Sequence, residues 1–193
     1  MRYLTTITFP ICSYIGDWAF RYDSNISMSL LSLSKCSYIG YAGMESAGTY
    51  GSIYLPECLE LSSRALGYTQ CTSFYLPKCV SIGENCFTGN YSLVSITLPK
   101  CTKIDEETFR FCSNLTMVSL AVCSYILNRA FKSCPNLRSL YLLSTSMVSL
   151  YGGYQASSTV FDNVTNVKIY VPNNLLSSYK TTYSRFSSVF IGI

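Results

Sequence analysis

Cysteine is the residue type in this chain with the widest chemical capacity, because a thiolate can bind metal, attack a substrate or form a disulfide. The 193 residues include ten cysteines and no histidine. Without histidine, Ser-His-Asp and Cys-His nucleophile arrangements, imidazole metal sites and histidine pH switches are excluded. No Cys-x-x-Cys pair occurs, although structural zinc sites commonly include such pairs. We therefore expect no catalytic residue, no metal and no cofactor.

Six of the ten cysteines recur at a nearly constant interval. They are separated by 24, 22, 21, 22 and 22 residues, and they are Cys12, Cys36, Cys58, Cys79, Cys101 and Cys123. An aliphatic residue lies three positions after each cysteine, a large apolar residue lies five positions further on, and another apolar residue comes three positions before. A pattern repeated in fixed phase indicates a solenoid, in which stacked coils bury one continuous core.

This interval leaves three roles for the cysteines. The expected role is a small apolar residue inside each coil, so Cys79, Cys101 and Cys123 are predicted to be buried free thiols. Neighbouring coils lie about 4.8 Å apart, a separation at which a disulfide could join two of them. A metal site is the third role, but a 22-residue spacing places ligands in a line rather than in a tetrahedron.

The clearest copy of the repeat begins at residues 93–101, which read Leu-Val-Ser-Ile-Thr-Leu-Pro-Lys-Cys. Apolar residues alternate in this segment and proline closes it, which is typical of a short strand with one buried face. The same pattern predicts parallel strands near residues 5–9, 30–33, 52–55, 73–76, 94–98, 116–120, 138–142 and 167–171. About eight coils are expected, stacked into one curved sheet on the order of 40 Å long.

The repeated pattern Leu-Pro-x-Cys-x-x-Ile, followed by an aromatic residue and then Leu-x-x-Ile-x-Leu, resembles the BspA-type leucine-rich repeat of bacterial surface proteins. The resemblance covers roughly residues 4–172. Residues 40–54 are degenerate, with Met44 in place of phenylalanine, and residues 145–165 match weakly. The resemblance implies a leucine-rich-repeat solenoid, with a parallel β-sheet on one face, turns and short helical segments on the other, and a C-terminal capping helix.

The whole chain, residues 1–193, is expected to form one domain, with the repeats at about 4–172 and a cap at about 173–193. After Pro172, the family's closing helix is matched by helically spaced apolar residues and by two asparagines that could cap a helix. These residues are Leu175, Leu176, Tyr179, Asn173 and Asn174. The first coil has no comparable cap, so we expect the chain to be part of a longer protein.

Tyrosine and hydroxyl side chains are expected along the outward face of the strands. The position before the last apolar residue of each strand forms what we call the strand-face ladder: Tyr54, Tyr75, Thr97, Ser119, Tyr141 and Tyr170, preceded by Thr8 and Ser32. A second ladder, two residues earlier, contains Ser52, Ser73, Ser95, Met117, Ser139 and Lys168. Tyrosine offers a broad contact surface with a polar tip at low entropic cost, so the strand-face ladder is the predicted ligand site. Strand preference of tyrosine and threonine is the other explanation.

The other polar features of the sequence favour structural or solvated roles rather than catalytic or binding sites. The acidic cluster at residues 105–107 is expected to be a solvated surface, because adjacent turn residues splay apart. Four Asn-x-Ser/Thr sequences are expected to bond backbone in turns rather than carry glycans, and they begin at Asn25, Asn90, Asn114 and Asn163. Residues 1–107 carry a net charge of −2 and residues 108–193 carry +6. This asymmetry favours a solvated basic face, with an anionic partner as the alternative.

The sequence therefore favours a non-enzymatic module, and its resemblance implies recognition or adhesion at a cell surface, with a host or cell-surface protein or glycan as partner. The alternative is a structural spacer or tail-fibre-like component without a ligand of its own. The net charge of +4 without a long basic run argues against nucleic acid. No apolar stretch approaches the roughly 18 residues that span a bilayer, so membrane insertion of this segment is not expected. No signal peptide is visible.

Overall fold

Two rows of short parallel strands run along the molecule, and successive coils add one strand to each row. The rows are seen in a computed structural model, which describes residues 11–24, 33–48, 51–150 and 160–193. The short-strand row consists of β1 (Tyr14–Ile15), β2 (Tyr38–Ile39), β4 (Glu60–Leu61), β6 (Ser81–Ile82), β8 (Lys103–Ile104), β10 (Tyr125–Ile126) and β12 (Ser149–Leu150). The long-strand row consists of β3 (Gly51–Tyr54), β5 (Cys71–Tyr75), β7 (Ser95–Leu98), β9 (Met117–Leu120), β11 (Ser139–Leu142), β13 (Lys168–Val171) and β14 (Phe190–Gly192).

The predicted solenoid is confirmed, with a repeat of ~22 residues and about 7 turns rather than eight. Six of the eight predicted strands coincide with strands of the long-strand row to within two residues. The predicted strand at 5–9 and most of the one at 30–33 lie outside the described residues. The sequence pattern does not predict the short-strand row or β14. The short strands form where the aliphatic residue after each cysteine turns inward, as at Ile39 and Ile82, which are both buried.

Strand register is uniform from β7 to β13, so equivalent residues of successive coils lie side by side. Ile96 pairs with Val118, Val118 with Leu140, and Leu140 with Ile169. All four residues are buried. Because side chains alternate between the two faces of a strand, the residue after each of them points outward. The outward residues are Thr97, Ser119, Tyr141 and Tyr170.

A third row of hydrogen bonds between coils runs through the turns that carry the large apolar residues; we call it the turn row. Phe109 N–H, for example, donates to the Ala130 carbonyl of the next coil at 2.8 Å. Left-handed backbone on either side, at Glu107 (φ 53°) and Phe111 (φ 63°), directs alternate N–H groups toward that coil. The N–H groups between them bond within their own coil, as Arg110 N–H does to the Glu107 carbonyl at 3.0 Å. The backbone is thus hydrogen-bonded without helix.

Phenylalanine rings at the centre of successive turns stack face to face in the core. The ring centroids of Phe87, Phe109, Phe131 and Phe161 are separated by 5.3, 5.5 and 5.7 Å along the stack. Their interplanar angles are 4°, 6° and 11°. Such pairs contribute about 0.5–1.5 kcal/mol each beyond the area that they bury. The stack therefore keeps these coils at a constant spacing.

A cap built from the C-terminal residues covers the last coil. It contains a 3₁₀ helix at Asn173–Leu175, the α-helix α1 at Leu176–Thr182, a second 3₁₀ helix at Ser184–Val189, and β14. The Tyr179 hydroxyl accepts a hydrogen bond from Val148 N–H at 2.7 Å, and burial raises the pKa of Tyr179 to about 12. The Tyr183 hydroxyl accepts from Leu150 N–H at 2.8 Å. The predicted cap is confirmed, and within the described residues helices occur only here.

The predicted asparagine N-cap of this helix is wrong. Neither the first 3₁₀ helix nor α1 begins with a side-chain capping hydrogen bond. Asn173 instead donates its backbone N–H to the Ile193 carbonyl at 3.1 Å. This bond forms because the chain end returns as β14 and pairs with β13.

Both strand rows are interrupted between the same two coils, and we call this interruption the seam. In the long-strand row, β5 pairs with β3 and β7 pairs with β9, but β5 and β7 belong to different sheets. In the short-strand row, β6 ends one sheet and β8 begins the other. The turn row continues across the seam, since Phe87 N–H donates to the Thr108 carbonyl at 2.9 Å. The two coils are therefore joined at their turns, while along their strands the regular ladder is reduced to isolated hydrogen bonds.

Phe74 accounts for the seam on the long-strand row. Its strand position is occupied by smaller aliphatic residues in the following coils, Ile96 and Val118 among them. The Phe74 ring is tilted by 56° against Phe87 at a centroid distance of 4.9 Å, so it does not join the face-to-face stack. A larger ring at an aliphatic position forces its surroundings to shift. We attribute the loss of pairing between β5 and β7 to this ring.

Candidate binding site on the strand face

All six residues of the strand-face ladder lie on the outer face of the long-strand row, as the sequence predicts, but their exposure differs along it. The side chains of Tyr54 and Tyr75 are 58% and 51% exposed. Thr97 is also exposed, whereas Ser119, Tyr141 and Tyr170 are half-buried. The expectation of substantial exposure therefore holds for the first tyrosine pair and only in part for the second. Whether the ladder binds a ligand stays a prediction.

The four tyrosines form two stacked pairs. Tyr54 and Tyr75 have ring centroids 4.8 Å apart and an interplanar angle of 5°. Tyr141 and Tyr170 have centroids 4.6 Å apart and an angle of 13°. Stacking follows from the parallel register, which places Tyr54 beside Tyr75 and Tyr141 beside Tyr170. Each pair is a flat aromatic surface whose rings are held by strands rather than by loops.

Two small side chains separate the tyrosine pairs. Thr97 pairs in register with Ser119, and Ser119 pairs with Tyr141. The two paired steps from Thr97 to Tyr141 span roughly 10 Å at about 4.8 Å per strand, and the step from Tyr75 to Thr97 crosses the seam. One face of the Tyr75 ring is covered by Tyr54, and the other face is directed toward the Thr97 position. The ladder thus has a recess two residues wide between aromatic ends.

The seam opens a cleft of about 250 Å³ at this recess. Its lining is contributed by the ends of β5 and β7 and by the prolines that follow them: Ser73, Phe74, Tyr75, Leu76, Pro77, Ser95, Ile96, Thr97 and Pro99. Two longer bonds connect the coils just before each strand, from Val94 N–H to the Thr72 carbonyl (3.4 Å) and from Thr102 N–H to the Val80 carbonyl (3.2 Å). The strands therefore diverge toward their carboxyl ends, where the cleft lies.

The cleft has hydroxyl groups but no ionisable group other than the Tyr75 phenol among its lining residues. Ser52 and Ser73 of the second ladder form a hydroxyl–hydroxyl hydrogen bond of 2.6 Å beside it. The cation that follows Pro77 is already paired, because Lys78 Nζ lies 2.8 Å from a carboxylate oxygen of Glu57. Lys100, which follows Pro99, is exposed at the edge of the cleft, so the lining itself is uncharged and hydroxyl-rich and the nearest cations lie outside it.

The cysteines are structural, as predicted. All ten are free thiols; nine are buried, and Cys12 is partly exposed. The repeated cysteine caps the turn after each long strand by donating to the carbonyl two residues later, as Cys36 does to Tyr38 at 3.3 Å and Cys101 to Lys103 at 3.0 Å. Burial raises the pKa of Cys36 and Cys101 to about 11, so these thiols stay neutral and unreactive near pH 7.

The acidic cluster at residues 105–107 is less solvated than the sequence suggests. Asp105 pairs with Lys103 at 2.7 Å, and Glu107 pairs with Arg110 at 2.7 Å. The Asp105 and Glu107 side chains are 15% and 16% exposed, whereas Glu106 is exposed. The left-handed turn directs these two carboxylates toward cations on the same and neighbouring coils. The cluster is therefore a set of structural ion pairs.

The asparagines of the Asn-x-Ser/Thr sequences have different surroundings. Asn90 is fully buried, and its side-chain nitrogen donates to the Leu66 carbonyl (2.9 Å) and the Phe87 carbonyl (3.0 Å). The predicted backbone-bonding role is therefore confirmed at Asn90. Asn114 and Asn163 are exposed, and Asn25 lies outside the described residues.

Sequence reasoning missed the seam and one buried carboxylate. The side chain of Glu45 is 4% exposed and lies between Arg21 (2.6 Å) and Arg64 (3.5 Å) of the neighbouring coils. No local motif marks either feature. The signal for the seam is phenylalanine at position 74, where the repeat elsewhere has an aliphatic residue.

Two further observations on the described residues concern metal binding and membrane spanning. In the described ranges, no three cysteine, aspartate or glutamate side chains are grouped so that they could hold a metal ion. No helix of the described chain has the length and the apolar composition needed to cross a membrane.

Comparison with known proteins agrees with the repeat. A family profile described as the BspA-type leucine-rich repeat region, with 6 copies, matches residues 1–93 and 59–189. No curated protein sequence matches the chain.

Two solved structures share the fold. A leucine-rich repeat protein from Bacteroides ovatus is 18% identical, with a TM-score of 0.65, and the match covers 98% of this chain. It covers 54% of the Bacteroides chain, so the present chain spans about half the length of that relative. The leucine-rich repeat protein of T. pallidum is 19% identical, with a TM-score of 0.61, over 92% of this chain and 82% of the other.

Proposed function

Because the chain belongs to the BspA-type leucine-rich repeat family, we propose that it is a non-catalytic recognition module that binds a protein or glycan partner through its strand face. Families built on this repeat are interaction modules, and this family is one of surface proteins. The proposed setting is therefore the cell surface or the extracellular space, and the proposed partner is a host or cell-surface protein or glycan.

One observation carries the proposal: two stacked tyrosine pairs flank a neutral recess on the strand face. Tyr75 leaves half of its surface accessible although its ring is packed against Tyr54. Aromatic residues held on a rigid scaffold lose little entropy on binding and are frequent anchors of interfaces. Strand preference explains why tyrosine is tolerated at these positions. It does not explain an open recess between the pairs.

The test compares two double variants with the unmodified chain. Tyr75→Ala combined with Tyr141→Ala removes one ring from each stacked pair of the strand face. Tyr14→Ala combined with Tyr125→Ala is the matched control, because both side chains are exposed on the short-strand row and Tyr14 stacks on Tyr38 at 5.0 Å. Binding is measured on printed arrays of glycans and of purified extracellular glycoproteins, together with the thermal midpoint of each variant.

The proposal requires a bound partner whose signal is lost in the strand-face variant and kept in the control, with midpoints within a few degrees of the unmodified chain. If no array component binds, or if both variants bind alike, the strand face is not the recognition surface. A structural spacer without its own ligand is then the better description.

A further inference from the structure

We propose that the cleft at the seam is a saccharide site, in which a sugar ring of a neutral oligosaccharide stacks on the free face of Tyr75 and lies over Thr97. This inference rests on the proposed function and adds the chemical class of the ligand and its position. It follows from the geometry of the ladder, from the groups that line the cleft, and from the charges beside it.

The ladder contains a vacancy of the right size for a ring. Tyr54 stacks on Tyr75 at 4.8 Å, and across the seam the next coil carries Thr97 in place of a third ring. Thr97 and Ser119 leave two successive steps without a ring before Tyr141. The two paired steps from Thr97 to Tyr141 add roughly 10 Å at about 4.8 Å per step, which leaves room beside Tyr75 for one or two six-membered rings. The flat apolar face of a pyranose packs on such an aromatic surface as another ring would.

The polar groups of the cleft can form hydrogen bonds with the hydroxyl groups of a sugar whose apolar face packs on Tyr75. Ser95 and Thr97 supply hydroxyls, each of which can donate one hydrogen bond and accept two, and the Ser73 hydroxyl, already bonded to Ser52, adds its remaining capacity. Peptide groups are added by the seam, because β5 and β7 are not paired with each other at this point. A ligand that carries many adjacent hydroxyls satisfies both kinds of group. A flat apolar ligand would leave the peptide groups without partners.

The charge of the lining residues and the volume of the cleft further restrict the class of ligand. Because no acidic or basic side chain is among the lining residues, an anionic or cationic saccharide finds no counter-charge inside the cleft. The volume of about 250 Å³ is below the roughly 300–1,000 Å³ of pockets that hold drug-sized molecules. This size suits one or two rings of a chain whose remaining units lie along the strand face.

The experiment uses the full chain and five defined probes. Maltohexaose, cellohexaose, mannohexaose and chitohexaose are the neutral probes, and hexagalacturonate is the anionic one. Titration calorimetry gives the dissociation constant for each, and the thermal midpoint of every variant is recorded. We expect at least one neutral hexasaccharide to bind in the micromolar to millimolar range and hexagalacturonate to bind at least ten-fold more weakly.

Three single variants locate the site. Tyr75→Ala removes the stacking surface and is expected to weaken binding at least ten-fold. Thr97→Tyr is expected to place a ring in the cleft beside Tyr75, and so to block binding without lowering the thermal midpoint. Tyr14→Ala is the matched control on the short-strand row, where an equally exposed tyrosine is stacked at 5.0 Å, and is expected to leave binding unchanged.

The inference is overturned if none of the neutral hexasaccharides binds, if hexagalacturonate binds as tightly as they do, or if Tyr14→Ala weakens binding as much as Tyr75→Ala. Should Thr97→Tyr fail to fold, Tyr75→Ala still decides the question. If a glycoprotein on the arrays loses its signal in the strand-face double variant while all neutral probes are inactive, recognition through the strand face stands and the saccharide site is wrong. If neither arrays nor probes bind, both proposals fail.

Discussion

The coils on the two sides of the seam use one repeat position in different ways. In the two coils after the seam, the position three residues beyond the central phenylalanine is cysteine, at Cys112 and Cys134. The Cys112 thiol donates to the Phe87 carbonyl at 3.2 Å, and the Cys134 thiol donates to the Phe109 carbonyl at 3.0 Å. These coils carry the regular phenylalanine stack and a continuous five-stranded sheet.

Before the seam, the same position holds Thr69 and Asn90. Asn90 donates to the Leu66 and Phe87 carbonyls and accepts from the Thr69 hydroxyl at 2.7 Å and the Thr69 N–H at 3.2 Å. A buried polar pair thus performs the task that single thiols perform elsewhere. In β5, the strand that follows Thr69, Phe74 occupies an inward position, and β5 is not paired with β7.

The two differences between the coils, an amide in place of a thiol and an aromatic ring in place of an aliphatic residue, have different consequences. Replacing a thiol by an amide preserves the coil, because the carbonyl of the preceding coil still receives a donor. Replacing an aliphatic residue by a ring changes the distance between strands, and that change reaches the outer face. We therefore attribute the cleft at the recess to core packing, whereas the recess itself comes from the small side chains of Thr97 and Ser119.

The largest expected effect comes from Asn90→Ala. The substitution removes four hydrogen bonds of the buried amide, two donated to the Leu66 and Phe87 carbonyls and two accepted from Thr69, so we expect a loss of about 2–3 kcal/mol in the free energy of unfolding. The Leu66 carbonyl keeps the Thr69 hydroxyl at 3.2 Å and the Phe87 carbonyl keeps the Cys112 thiol at 3.2 Å. Urea denaturation measures this loss. Asn136→Ala is the control, because Asn136 is exposed and donates one hydrogen bond, to the Ser113 carbonyl at 2.8 Å. Equal losses in the two variants would show that the Thr69–Asn90 pair is not what holds this coil.

A smaller loss of stability is expected at alkaline pH, where cysteine thiols ionise and the Asn90 amide does not. Burial raises the pKa of Cys101 from 9.0 to about 11 and that of Cys134 to about 12. Above pH 9 the unfolded chain therefore loses protons that the folded chain keeps, and stability falls as pH rises. The thermal midpoint should be the same at pH 7 and pH 8 and lower at pH 10.

The matched variant for this prediction is Cys134→Ala, which removes one titrating thiol from the regular coils. Its midpoint should fall less between pH 8 and pH 10 than that of the unmodified chain. A midpoint independent of pH up to 11 would falsify the assignment of these cysteines as buried neutral thiols.

The smallest effect on stability is expected from Phe74→Ile, which gives the coil before the seam the residue found at position 96. We expect the free energy of unfolding to change by less than about 1.5 kcal/mol, because lost ring burial is offset by closer packing of β5 and β7. Hydrogen exchange should show increased protection of amides in β7. Phe111→Ile, at a half-buried position on the turn row, is the control and should leave β7 exchange unchanged. Unchanged exchange in both variants would mean that Phe74 does not cause the seam.

Most of the fold could be predicted because the repeated spacing itself shows which positions point inward and which point outward. Buried and exposed residues alternate within each long strand, so Ile96 and Leu98 inside and Thr97 outside follow from the spacing alone. Two-residue strands such as β2 contain too few alternations to be recognised in the same way. The strand β14 was missed for a related reason, since it lies after the last repeat and its pairing depends on how the cap folds back.

The candidate site was predicted only in outline. The strand-face ladder follows from the phase of the repeat, but the stacking of Tyr54 on Tyr75 depends on strand register and ring orientation. Burial of Asp105 and Glu107 in ion pairs could not be predicted either, because the partners of Glu107 come from its own turn and from the next coil. These properties arise between coils and not within one.

The sequence by itself determined that the chain is a solenoid, which side chains face inward, and that tyrosine and hydroxyl groups line the outer face, because a constant repeat sets the same inward direction in every coil. The tertiary structure alone decided where neighbouring coils stay paired and where they separate. That outcome depends on how the Phe74 ring packs against Phe87 in the adjoining turn, which is a contact between side chains and not a property of spacing. We attribute the cleft beside Tyr75 to this contact.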